Sequence, residues 1–168
     1  LTIFEQFLEE QLEKVISARS ILIDAALEYW KEVFQYETLC VRFKIIEPYL
    51  LHFKELDHIK KYLELIDESW SEGFKRILFK RNYDLIVSLL KKFKDSLPVP
   101  ISQIEEILAE QAEASYKYAL LTKKRFLQGE DIISKDPEIA FKYASEIING
   151  PFPEGEAAIA EASLITIS

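Results

Sequence analysis

Methionine is missing from the 168 residues, cysteine occurs once, histidine twice, glycine four times and proline six times. Each scarcity removes a class of protein. A single cysteine, Cys40, forms no internal disulfide, so a secreted fold stapled by cystines is excluded and a reducing, cytoplasmic setting is expected. Cys40 lies in the apolar run Leu39-Cys40-Val41, the setting of a buried small hydrophobe rather than a reactive thiol. Gly and Pro are too few for an all-β sandwich or barrel, which needs a turn signal roughly every 8 to 12 residues. Neither G-x-G-x-x-G nor G-x-x-x-x-G-K-[ST] occurs, so no glycine loop cradles a phosphate, and no G-x-S-x-G presents a nucleophile. No uncharged stretch approaches the roughly 18 residues that span a bilayer, so no membrane partner is expected. Glu5, Glu9, Glu10 and Glu13 make the start unlike a signal peptide. Leu at position 1, with no Met, is expected of a processed or trimmed product.

What is present is a packable chain, 49% apolar and 30% charged with a net charge of -8. At this length about two thirds of the unfolded surface can be buried. Thr2-Ile3-Phe4-Glu5 has the pattern of a capping box, and apolar residues then recur near a 3.5-residue period through Phe4, Leu8, Val15, Leu22, Ala25, Tyr29 and Val33. A second helix is expected from Pro48 to Gly73 and a third from Phe74 to Lys94. Asp95-Ser96-Leu97-Pro98-Val99-Pro100 reads as a linker, because two prolines two apart cannot continue a helix. Ser102-Gln103-Ile104-Glu105 is a second capping box, opening a helix that reaches about Lys124. The expected fold is all-α: three long N-terminal helices over residues 1–97, then a small stacked helical-repeat module over 98–168.

The C-terminal part repeats itself. Phe126 to Ser134 matches Phe152 to Ala160 at an offset of 26, and upstream Glu113-Ala114-Ser115-Tyr116-Lys117-Tyr118-Ala119 answers Glu138-Ile139-Ala140-Phe141-Lys142-Tyr143-Ala144. Asp136-Pro137-Glu138 supplies an N-cap, a Pro at N1 and an acid in the first turn, while Asn149-Gly150 stops the helix. Each unit is a long helix, a tight turn and a shorter helix, which buries its apolar side by stacking on a neighbour. The stretch Asp136 to Ile159, with its degenerate upstream copy, resembles the short α-helical repeats of proteins from large tailed bacteriophages and related mobile elements, over residues 110–162. That resemblance implies a phage or mobile-element source and a host-cell cytoplasmic location, but no common reaction.

Residues 75–94 concentrate positive charge: Lys75, Arg76, Lys80, Arg81, Lys91, Lys92 and Lys94 stand against the single acid Asp84, a net of +6. Interleaved with Phe79, Tyr83 and Phe93, they suit phosphate contacts with base stacking, or an acidic protein surface. On an amphipathic helix the same pattern is also a solvated outer face over an aromatic core. Glu55-Leu56-Asp57-His58 is an E-x-x-H, but a di-iron bundle needs two such motifs plus two more glutamates. Glu9-Glu10-Gln11-Leu12-Glu13 resembles half of the magnesium site of all-α nucleotide pyrophosphatases of the MazG type, with Glu64-Leu65-Ile66-Asp67 as the only second half. No complete catalytic or metal set emerges and no cofactor is implied. The leading expectation is therefore a non-enzymatic protein-interaction module, encoded by a phage or mobile element, that binds and modulates a host protein, with homo-oligomerisation open to it. The alternatives are a nucleic-acid-binding module using the basic helix 75–94, and a magnesium-dependent nucleotide hydrolase using Glu10, Glu13, Glu64 and Asp67.

Overall fold

A computed structural model describes residues 3, 6, 7, 10, 19–34, 42–54 and 56–165. All regular structure among the described residues is helical: α1 (Arg19–Phe34), α2 (Glu47–Leu50), α3 (Asp57–Leu65), α4 (Ser71–Phe79), α5 (Tyr83–Lys92), α6 (Ile101–Leu108), α7 (Ala112–Thr122), α8 (Leu127–Ile133), α9 (Pro137–Tyr143), a π-helical turn (Ala144–Ile148) and α10 (Pro153–Ile165). The chain forms two compact units, one of residues 1–80 and 93–98, the other of 81–92 and 99–168. Beyond the linker at Pro98 to Pro100, the chain also passes between units on either side of α5, so that α5 belongs with the C-terminal residues.

In the first unit α1 buries Ile23, Ala26, Leu27 and Trp30, spaced as one face of a helix. Trp30 stacks on Phe43 with ring centroids 4.2 Å apart. The helix expected from Pro48 to Gly73 is three pieces. α2 is a single turn begun by Glu47 and Pro48. α3 ends at Leu65, with Ile66 extended at φ -83, ψ 147. Asp67 and Glu68 follow at once, and their charges oppose the negative end of a helix dipole, which explains the stop. Trp70, also extended, then starts α4.

The helix expected from Phe74 to Lys94 is two helices. Arg81 adopts a left-handed φ of 51, and the Asn82 side chain accepts the Leu85 amide at 3.2 Å, capping α5. In the second unit the helix expected from Ser102 to Lys124 breaks in the same way, where the Gln111 side chain accepts the Ala114 amide at 2.9 Å. α6 starts at Pro100 with no side-chain cap bond, so the Ser102 to Glu105 box is not used. Downstream, the Asp136 carboxylate accepts the Glu138 and Ile139 amides at 3.1 Å, Pro137 opens α9, and Asn149 stops the π-turn in a left-handed conformation at φ 55. The expected caps Thr2 and Glu5, and Cys40, lie outside the described residues.

Candidate interaction surface

One local arrangement occurs three times among the described residues. A Lys-Tyr pair on a helix is followed, after a stretch of seven or eight residues, by an aromatic residue and, three residues later, by a glycine: Lys61-Tyr62 with Trp70 and Gly73, Lys117-Tyr118 with Phe126 and Gly129, Lys142-Tyr143 with Phe152 and Gly155. The tyrosine meets the aromatic edge to face, at ring-centroid separations of 5.4, 4.9 and 5.4 Å. The aromatic ring lies over the glycine, leaving no room for a Cβ: one at Gly129 would be 2.6 Å from Phe126, one at Gly155 would be 2.6 Å from Phe152, and one at Gly73 would overlap the Trp70 indole. Two of the three copies fall within the expected repeat. The third, at 61–73, lies in the first unit.

Each tyrosine hydroxyl donates backwards to a glutamate on the preceding short helix, from Tyr62 to Glu47, Tyr118 to Glu105 and Tyr143 to Glu130, at 2.7, 2.7 and 2.8 Å. In two copies the arrangement extends further. Arg42 and Arg125 each hold the glutamate with two nitrogens. The amides of Phe43 and Phe126 donate to the tyrosine oxygen at 2.7 and 2.9 Å. Glu47 and Glu130 are thereby buried as carboxylates with their charge matched, the condition under which burial of a charge is tolerable. The bond from Arg125 is the main reason the Glu130 carboxyl titrates below its ordinary range. Desolvation, with the bond to Glu130 second, pushes the Tyr143 phenol up to about 12.

The lysines also look backwards. Lys61 reaches Asp24 at 2.7 Å and Lys117 reaches Asp84 at 2.7 Å, while Lys142 pairs with Glu138 in its own helix. The third copy has one more residue between tyrosine and aromatic than the others. Lys123 and Asn149 are equivalent left-handed stops three residues before the aromatic, so the surplus lies earlier, in the π-turn Ala144–Ile148. A π-turn is the backbone's way of taking in one residue without turning the helix that follows.

The copies differ in what covers them. Tyr116, next to Lys117 in the second copy, is 9% exposed and donates to Glu146 on the π-turn at 2.8 Å. Phe141 occupies the same place beside Lys142 and is 63% exposed. It stands between two shallow grooves, one of about 470 Å³ lined by Asp136, Pro137, Glu138, Lys142, Ile159 and Ala162, the other of about 440 Å³ lined by Ala144, Ser145, Asn149 and Gly150. Position 116 holds a buried aromatic that meets the π-turn of the next copy, and position 141 presents one outward.

The basic segment does not form one helical face. Lys75, Arg76 and Lys80 are on or beside α4, Lys91 and Lys92 end α5, and Lys94 and Arg81 lie in turns. Lys75, Arg76, Lys80 and Lys94 belong to one unit and Arg81, Lys91 and Lys92 to the other. Arg81 is already held by Glu110, its Nε 2.7 Å and its second nitrogen 3.0 Å from the carboxylate. Arg76 is half-buried and its Nε has no hydrogen-bond partner.

His58 stacks on Phe53 at 4.3 Å and its Nε2 lies 3.5 Å from Asp24 and 3.3 Å from Ser20. Both contacts fall on the same nitrogen, unlike a catalytic triad, in which base and orienting acid use different ones. His52 bonds the Pro48 carbonyl at 2.7 Å. Glu9, Glu13 and Glu55 lie outside the described residues, and among the described residues no three His, Cys, Asp or Glu side chains converge on a metal-sized space. No helix of the described residues is long and apolar enough to cross a membrane. Compared with protein-family models, curated proteins and solved structures, the chain matches none.

Proposed function

We propose that this chain is a non-enzymatic protein-interaction module, encoded by a phage or mobile element, that binds and modulates a host protein through the outward face of the α9–α10 pair. The observation that carries the reading is the contrast between Tyr116, buried and bonded to Glu146 of the next copy, and Phe141, its exposed counterpart. Phe141 is 63% exposed, so burial by a partner would add about two thirds of the worth of a fully buried ring, about 1 to 2 kcal/mol. The grooves on either side are open and shallow, a shape suited to a helix or loop of another protein more than to an enclosed small substrate. The test is parallel retention from a bacterial lysate by the natural chain and by Phe141→Asp. A stoichiometric protein held by the first and lost from the second is the expected result. Retention of nothing by either chain ends this reading.

A nucleic-acid-binding module using the basic segment 75–94 is the second reading, supported by the exposure of Lys91 and Lys92 at the end of α5. It calls for binding that weakens steeply with salt, and again in the Lys91→Glu, Lys92→Glu double variant.

A further inference from the structure

Resting on the interaction reading, we infer that the groove beside Phe141 takes an amphipathic helix whose polar flank is basic. Two independent observations point there. The first is continuity with an interface the chain already makes. On α7, the position beside the repeated lysine is filled by Tyr116, and a helical segment of the following copy lies against it and supplies Glu146. On α9, Phe141 offers the same place to the outside, with Pro137, Ile159 and Ala162 around it. The seat is shaped by repetition for a helix.

The second observation is charge. From Asp136 onward the chain carries Asp136, Glu138, Glu146, Glu154, Glu156 and Glu161 against Lys142 alone. Lys142 is engaged with Glu138. Glu156 is exposed and stands three residues before Ile159 on α10, just under one turn away on the same side. Phe141 lacks the hydroxyl with which Tyr116 meets an acid, so nothing on this face asks for a carboxylate from the partner. An occupant with an apolar stripe for Phe141 and Ile159 and flanking Lys or Arg answers both features, and acidic helices are repelled.

The experiment uses the full chain and two fluorescent peptides of about five helical turns, one an amphipathic Leu/Lys sequence and the other its Leu/Glu counterpart. The Leu/Lys peptide should bind at about 0.15 M salt and the Leu/Glu peptide should not. Phe141→Asp and, independently, Phe141→Ala should each weaken binding roughly 10- to 100-fold, the worth of one buried aromatic. Glu156→Lys should weaken it without altering the far-ultraviolet circular dichroism. Binding of Leu/Lys that ignores both Phe141 variants overturns the inference, because general charge attraction then accounts for it. Equal or tighter binding of Leu/Glu at Phe141 overturns the basic partner while leaving the interaction reading intact. Self-association of the chain that Phe141→Asp abolishes also overturns it, because a second copy then fills the seat. If no peptide binds and retention from the lysate is indifferent to Phe141, both readings fall together.

Discussion

Tyr143 donates to Glu130 at 2.8 Å while its oxygen accepts the Phe126 amide hydrogen at 2.9 Å, so one phenol satisfies a buried carboxylate and a buried backbone donor. Tyr143→Phe removes both bonds. Arg125 still compensates Glu130, but the Phe126 N–H is left without a partner, at a cost of about 1 to 3 kcal/mol. Tyr118→Phe should cost less, since Glu105 is only half-buried and no backbone amide bonds that phenol among the described contacts. Urea denaturation of the two variants side by side checks the order.

Carboxylates held by cations set the acid limit. Glu130, Asp24 and Glu110 all titrate below their ordinary ranges, each chiefly through a hydrogen bond from a cation: Arg125, Lys61 and Arg81. A carboxyl whose folded value is lowered stabilises the fold above its unfolded value and loses that contribution as pH falls through the folded one. Thermal midpoints should therefore decline below about pH 4.5, and the decline should be shallower in Glu130→Gln.

At the alkaline end the sign reverses. Desolvation, then bonds to Glu146 and Glu130, push Tyr116 and Tyr143 up to about 12 from an ordinary 10.0. Between those values the unfolded chain gives up protons that the folded chain keeps, so stability should fall as pH rises from 10 towards 12. Tyr116→Phe should remove part of that slope, read from equilibrium unfolding across the interval.

Glycine in a helix normally gains about 1 kcal/mol on replacement by Ala. Gly129→Ala and Gly155→Ala should instead lose about 1 to 3 kcal/mol, because the new methyl meets Ser115 and Phe126 in one case and Ala140 and Phe152 in the other. Gly150→Ala has open space around its Cβ and should stay within about 0.5 kcal/mol of the natural chain. Three melting curves decide it.

Removing one residue from the π-turn restores the spacing of the second copy. Ser145, exposed and with its hydroxyl bonded to the Lys142 carbonyl, is the residue to delete. The shortened chain should fold with an ordinary α-helix through this stretch. The loss should be no more than about 2 kcal/mol, mostly the displaced bond between Tyr116 and Glu146. Loss of cooperative unfolding would refute the equivalence of the copies.

The all-helical class, the cap at Asp136 and the stop at Asn149 were legible because each depends on residues a few places apart, and the correspondence of Tyr116 with Phe141 because the two heptapeptides align residue for residue. The breaks at Arg81 and at Gln111 were not. Asn82 and Gln111 cap from within runs whose apolar period continues across them, and periodicity alone reads straight through a cap. The copy at 61–73 was hidden for another reason. Its shared residues are few, and the separation between glutamate and tyrosine is 15 there but 13 in the others, so a fixed-offset comparison passes over it. What reveals it is the bonding of Arg42, Glu47, Tyr62 and the Phe43 amide, repeated by Arg125, Glu130, Tyr143 and the Phe126 amide. The exposure of Phe141 was equally unreadable: the sequence puts it on one apolar helix face with Ala140, Ala144, Ile147 and Ile148, where burial is expected, yet it is 63% exposed.

Every phenol in this series reaches towards the N-terminus. On a ribosome, Glu47, Glu105 and Glu130 leave the tunnel 15, 13 and 13 residues ahead of the tyrosines that bond them. Each acceptor is already outside when its donor arrives, and a loop of that length closes in roughly 10 to 100 ns, far faster than the next residue is added. Each tyrosine–glutamate bond can therefore close while the chain is being made, before the aromatic that covers the tyrosine has been translated.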